Sequence, residues 1–90
     1  LGIAPFGGWG LAQITLTGRV TDQKGQSLPG ANVFLHGTYD GANTDSTGAF
    51  RFKTTRKDTA TLTVSFIGFE PFSRKITLNQ TGPLTIRLTE

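Results

Sequence analysis

The chain has no cysteine, no methionine and a single histidine, His36. Without thiols there is no disulfide framework and no thiolate metal site, and one imidazole leaves too few donors for a zinc centre. The lack of cysteine neither points to an oxidising compartment nor excludes one. Charge is sparse as well: nine basic and six acidic residues give a net +3. That bias is compatible with an acidic partner and is no argument for nucleic acid by itself. No window places apolar residues at helical spacing behind a cap, and no run approaches the ~20 apolar residues of a bilayer-spanning helix. Ninety residues amount to one small domain, able to bury roughly 60–65% of its unfolded surface.

What the chain has in quantity is threonine, fifteen in all, set against apolar residues with a period of two. Ile14, Leu16, Gly18 and Val20 alternate with Thr15, Thr17, Arg19 and Thr21. The same phase recurs at Ala31, Val33 and Leu35, at Phe50 and Phe52, at Leu62, Val64 and Phe66, at Ile76 and Leu78, and at Leu84, Ile86 and Leu88. Alternation of this kind marks half-buried strands, and β-branched side chains suit a pleated surface. Turn-forming stretches such as DQKGQSLPG, HGTYDG, TDSTG and NQTGP interrupt it every ten residues or so, the rhythm of a sandwich or barrel. The pattern predicts an all-β chain of about seven strands, 14–21, 31–36, 41–44, 49–53, 60–67, 70–78 and 84–89. One apolar face per strand calls for a second sheet to cover it, hence two packed sheets.

Residues 1–12, LGIAPFGGWGLA, differ from the remainder: they are uncharged, with four glycines and a proline. They are too short and too glycine-rich for a transmembrane helix. Small residues at Gly10 and Ala12 fit the end of a secretory signal peptide, with Gln13 as the first mature residue and 13–90 as the domain. An uncharged linker is the alternative.

Two nearly identical stretches, TDQKG at 21–25 and TDSTG at 44–48, pose the question of a repeated carboxylate site. A calcium loop needs several oxygen ligands at fixed offsets and ends in a bidentate glutamate. The nearest approach, DGANTDSTGAFR, has the wrong offsets and places Arg51 where that glutamate belongs; the other copy sets Lys24 beside its only carboxylate. The turn reading accounts for both. Asp22 and Asp45 can accept hydrogen bonds from amides two residues on, and Gly25 and Gly48 can supply the left-handed conformation that closes a type I turn.

Catalytic signatures are missing. No serine lies in a G-x-S-x-G elbow or a serine–lysine motif. Asp22, Asp40, Asp45 and Asp58 all fall in predicted turns, and His36 ends an alternating strand on the side opposite Val33 and Leu35. No active site, cofactor or metal site is expected. The segment TGAFRFKTTRK resembles the aromatic–basic strands on which bases stack. Here, however, Phe50 and Phe52 share one face and Arg51 and Lys53 the other, which is the pattern of a core strand with its basic residues in water. A nucleic-acid partner is not expected.

The ordered set of turns and core positions in LTGRVTDQKGQSLPGANVFLHGTYDGANTDSTGAFRF resembles the carboxypeptidase regulatory-like domain family. Its pattern runs G-x-V-x-D-x-x-G-x-x-L-P-G-A-x-V-x-x-x-G-T, then a glycine and T-D-x-x-G-x-F. VSFIGFEPF is similar to the family's sYiGY strand, with Phe66 and Phe69 at the tyrosine positions. Ser27 stands where many members have proline, a departure confined to a turn. The likeness covers residues 14–90. It implies a transthyretin- or prealbumin-like β-sandwich without chemistry of its own. Such domains occur in secreted carboxypeptidases, in surface proteins and at the N-termini of TonB-dependent outer-membrane transporters, where they follow the signal peptide. That last setting implies an exported, non-catalytic module on the periplasmic side of a Gram-negative outer membrane, with a protein partner or the rest of the transporter as its contact. The alternative is a carbohydrate- or ligand-binding accessory domain of a secreted or surface enzyme. A small-molecule ligand is not expected, since few exposed aromatics are available.

One surface stands out for interaction. Phe34 and His36 project opposite Val33 and Leu35, and Phe72 is expected to be similarly placed. A solvated strand face rarely needs a phenylalanine, so this face, or an open strand edge near it, is the candidate docking surface. Packing of Phe34 beneath the loop 37–43 is the competing reading.

Overall fold

Seven strands form in the computed structural model, which describes residues 13–78 and 82–90. They are β1 (Ile14–Thr21), β2 (Asn32–Leu35), β3 (Gly41–Asn43), β4 (Ala49–Thr54), β5 (Thr59–Ser65), β6 (Phe72–Thr77) and β7 (Leu84–Arg87). All seven expected strands are present in the expected order, with ends displaced by no more than two residues. The segment 1–12, and with it the signal-peptide reading, lies outside the described residues. Among the described residues no helix is long and apolar enough to cross a membrane.

The strands divide into a three-stranded sheet, β4-β1-β7, and a four-stranded sheet, β3-β2-β5-β6. Within the first, β1 runs antiparallel to β4 and parallel to β7; the second is antiparallel throughout. The inward phase of each strand supplies the core: Leu16 and Val20 from β1, Val33 and Leu35 from β2, Phe50 and Phe52 from β4, Leu62 and Val64 from β5, Ile76 from β6 and Leu84 and Ile86 from β7 are all buried. Apolar area removed from water at about 25 cal/mol per Å² is the main force holding the two sheets together.

Gly18 occupies an inward position of β1 opposite Phe50. A Cβ there would lie 2.6 Å from the Phe50 ring and 2.5 Å from the Leu84 carbonyl oxygen, so the missing side chain is the space the phenylalanine fills. Two buried threonines tie the loops to this core. The Thr44 hydroxyl donates to the Leu28 carbonyl and accepts from the Ala31 amide at 2.8 Å, pinning the LPGA corner to the end of β3. The Thr54 hydroxyl donates to Asp40 Oδ2 at 2.7 Å, joining the end of β4 to the residue before β3. Buried hydroxyls with both roles filled avoid the cost of an unsatisfied polar group.

Candidate functional site

The repeated T-D-x-x-G stretches fold into the same turn. Asp22 Oδ1 accepts from the Lys24 amide at 2.8 Å and the Gln26 amide at 2.9 Å; Asp45 Oδ1 accepts from Thr47 at 2.8 Å and Ala49 at 3.0 Å. The Gly25 and Gly48 amides donate back to the Asp22 and Asp45 carbonyls, and both glycines lie in the left-handed region, at φ 84° and 77°. The preceding threonines, Thr21 and Thr44, are buried in both copies. The second copy has one further bond, from the Thr47 hydroxyl to Asp45 Oδ1 at 2.7 Å. That hydroxyl, then the Thr47 and Ala49 amides, hold the Asp45 carboxyl below its ordinary value, and Arg19 adds a smaller attraction. Carboxylate oxygens engaged in this way serve the backbone. Among the described residues no three of His, Asp and Glu gather at metal-binding distance.

The three residues expected to share an interaction face do not do so. Phe34 is half-buried on the outer face of the four-stranded sheet, with Gly41 beside it on β3 and Thr63 on β5. His36 is exposed just past the end of β2, its amide donating to the Thr61 carbonyl at 2.9 Å. Phe72 is on the other side: it pairs with Val64, which pairs with Val33, and its ring packs partly against the core. The expectation that Phe72 accompanies Phe34 is therefore corrected. Phe72 shares the inward phase of β6 with buried Ile76; Arg74, between them and opposite buried Leu62, is nonetheless exposed. It can be, because β6 is the rim of its sheet; the Arg74 guanidinium lies over the Phe72 ring at 5.8 Å.

The neighbours of Phe34 make a shallow groove lined by Asn32, Phe34, Thr38, Tyr39, Gly41 and Asn43. Tyr39 is fully exposed at its rim. Gly41 permits the close approach, since a Cβ there would collide with Phe34 and the Val33 carbonyl. Phe34 thus rests against the β3 backbone with its remaining surface open, a position between the two expected readings.

Sequence reasoning did not single out Ile67, which is 90% exposed. The stretch VSFIGF was expected to continue a strand to residue 67, but β5 ends at Ser65. The Phe69 amide donates to the Phe66 carbonyl at 3.0 Å and Gly68 has φ 86°, so a tight turn lifts Ile67 to its apex. The rings of Phe66 and Phe69 meet beneath it at 5.6 Å. The IGFEP stretch reads as a break between strands, and Gly68 within it is the signal for the turn that exposes Ile67.

Phe50 and Phe52 are only 4% and 7% exposed. The aromatic–basic segment therefore offers no ring on which a base could stack.

Three comparisons bear on these features. A stretch of 59 residues is 42% identical to the TonB-dependent receptor SusC of Bacteroides thetaiotaomicron, covering 66% of this chain and 6% of that protein. The chain thus spans a small fraction of the curated relative it matches. Among solved structures, a chain of the type II cohesin–X-dockerin complex from Acetivibrio cellulolyticus superposes with a TM-score of 0.57 over 84% of this chain and 52% of its own length. At 22% identity that likeness concerns the fold alone. The CarboxypepD_reg-like domain family matches residues 16–90. The LPGA corner, the paired Asp turns and the Ile67 turn all lie within that match, and the chain belongs to this family.

Proposed function

We propose that residues 13–90 are a non-catalytic accessory domain of a TonB-dependent outer-membrane receptor, located on its periplasmic side. The observation that carries this reading is the 42% identity to a stretch making up 6% of such a receptor. A segment that small in a transporter is an appendage to the machinery that moves substrate. The disposition of polar groups supports a role without chemistry: Asp22, Asp40 and Asp45 are engaged by backbone amides or by Thr54, and His36 stands alone at a strand end. The face bearing Phe34 and His36, with Tyr39 at its rim, is the docking surface for the remainder of the receptor or a periplasmic protein. An aromatic centre with polar surroundings can supply binding energy there.

The test uses the full-length parent. Ser46 is exposed in the second Asp turn, and Ser46→Cys introduces the domain's only thiol. The periplasmic reading expects a membrane-impermeant thiol reagent to label it only after the outer membrane is permeabilised. Labelling in intact cells overturns it. Deleting residues 13–90 is expected to leave the receptor in the outer membrane with transport reduced; unchanged transport removes the accessory role.

A further inference from the structure

The two outer faces of the sandwich differ in charge. On the four-stranded sheet the outward residues are mostly Asn, Ser and Thr around Phe34, with Lys75 the one cation at an outward strand position and Arg74, exposed at the β6 rim, the other cation of its described strands. On the three-stranded sheet the outward positions carry Arg19 from β1, Arg51 and Lys53 from β4, and Arg87 from β7. The positions between them are Thr15, Thr17 and Thr85, with Ala49 beside Arg19. No outward strand position of this sheet holds a carboxylate; Asp45 near Arg19 and Glu70 beside Arg87 stand at its margins.

Arg19 pairs with Ala49 and Thr17 with Arg51, so the two arginines are diagonal neighbours, a spacing of about 7–8 Å in an antiparallel pair. Arg51 and Lys53 are two residues apart on one strand, about 7 Å. These separations are shorter than the Debye length of about 10 Å at 0.1 M salt, so the charges act together on whatever approaches. A shallow depression among them is lined by Thr17, Arg19, Arg51 and Thr85 together with the apolar Ala49, Phe50, Pro83 and Leu84; its two guanidinium groups and two hydroxyls can receive one anionic group.

We propose that this face is an electrostatic docking surface for an anionic lipid bilayer. Charge complementarity and shape choose the occupant. A protein partner ordinarily needs a desolvated aromatic or large apolar anchor at the centre of the contact; on this face Phe50, Phe52 and Leu84 are turned into the core, leaving only the small apolar surfaces of Ala49 and Pro83. A bilayer surface needs no such anchor. It asks only for several Lys or Arg side chains on one broad exposed face, each contributing about fivefold in binding near an anionic surface. The contact orients the domain with its three-stranded sheet toward the headgroups and leaves the Phe34 face pointing away. This inference goes beyond the receptor reading, and its test does not require the parent.

The experiment is sedimentation of the 90-residue chain with vesicles of phosphatidylcholine mixed with phosphatidylglycerol, and with vesicles of phosphatidylcholine alone. Binding is expected only to the former, and is expected to vanish at high salt. The triple variant Arg19→Gln/Arg51→Gln/Lys53→Gln should bind about a hundredfold more weakly, at about fivefold per charge. A control with the same charge change elsewhere, Lys24→Gln/Arg74→Gln/Lys75→Gln, should bind nearly as the parent does. Circular dichroism confirms the fold of each. No binding to the anionic vesicles, or equal loss in both triple variants, overturns the proposal. Retention on immobilised polyglutamate without vesicle binding also overturns it, assigning the face to an acidic protein segment instead.

Discussion

Asp22 and Asp45, twenty-three positions apart in the chain, hold their turns with the same atoms. In each, one Oδ1 receives the amides two and four residues on, at 2.8–3.0 Å, and the aspartate's own amide donates to the carbonyl of the fourth residue. The turns also meet: the Val20 amide, just before the first, donates to the Gly48 carbonyl that closes the second, at 2.8 Å. The two turns therefore lie together at the same end of the antiparallel β1–β4 pairing, where Arg19 meets Ala49. Asp22→Ala is expected to cost about 0.5–2 kcal/mol, by analogy with lost capping side chains, measured by urea denaturation. Asp45→Ala should lower the melting temperature as well. A chelator should leave the melting temperature of the parent unchanged, because Oδ1 of each aspartate is taken by amide protons and, among the described residues, no three acidic or histidine side chains gather to hold a cation. A fall of many degrees would show a bound cation instead.

The lowered pKa of Asp45 gives its turn a pH signature. Its folded pKa lies below the ordinary aspartate value of 3.8, chiefly because the Thr47 hydroxyl and the Thr47 and Ala49 amides stabilise the carboxylate. The folded state therefore holds this proton less tightly than the unfolded chain. The stabilisation is complete above about 3.8, the unfolded value, and disappears as pH falls through the lower folded value. An NMR titration of the Asp45 carboxyl should give a midpoint below 3.8. Thr47→Val, which deletes the largest contributor, should move that midpoint upward. An unmoved midpoint would assign the shift to the amides alone.

How much of this was legible in the sequence follows from the range of each interaction. The Asp turns were readable because aspartate, two intervening residues and glycine contain everything the turn needs within five positions. The seven strands were readable from alternation, and the family resemblance rested on the same turn and core positions. The alternation through Ile76 and Leu78 does place Phe72 inward; what it does not explain is an exposed arginine between Phe72 and Ile76. Arg74 sits two residues on in the same phase, and only the rim position of β6 lets an inward arginine reach water. The basic face was also hidden. Arg19, Arg51 and Arg87 come together only through the antiparallel β1–β4 and parallel β1–β7 pairings, which join segments tens of residues apart.

Gly18 and Phe50 should behave as a coupled pair. Gly18→Ala introduces a methyl group 2.6 Å from the Phe50 ring, and overpacking of this kind costs about 1–3 kcal/mol. Phe50→Leu should recover part of that loss, the signature of residues in contact in a double-mutant cycle. Recovery should be incomplete, because the Leu84 carbonyl oxygen stands equally close and belongs to the backbone. Additive effects in the cycle would separate the two positions.

Phe34→Ser distinguishes docking from packing on the outer face of the four-stranded sheet. Phe34 is half-buried against the β3 backbone, whereas Phe50 and Phe52 fill the core. The variant should stay folded and lose less stability than Phe50→Ala, for which the range for buried phenylalanine is about 3–5 kcal/mol. In the full-length parent, the docking reading expects impaired transport from this folded variant. Normal transport would remove Phe34 from the docking surface.

The Ile67 turn separates a residue exposed at no benefit to folding from the glycine that makes its exposure possible. Ile67 touches little, being 90% exposed, and substitutions at such positions usually change stability by less than about 0.5 kcal/mol. Ile67→Asn is therefore expected to unfold at the same urea concentration as the parent. Gly68 is different. Nothing lies within 4 Å of the site of an added Cβ, so space is no obstacle, but its φ of 86° is one that L side chains rarely adopt. Gly68→Ala should destabilise the chain through backbone strain alone, by about 1 kcal/mol. Asparagine tolerates the left-handed region better than alanine, so Gly68→Asn should fall between the two. The order parent, Asn, Ala in denaturation midpoint follows from conformation and not from contacts. If alanine were tolerated as well as glycine, the turn would not depend on the left-handed residue, and β5 could continue through Ile67 as the apolar run alone suggests.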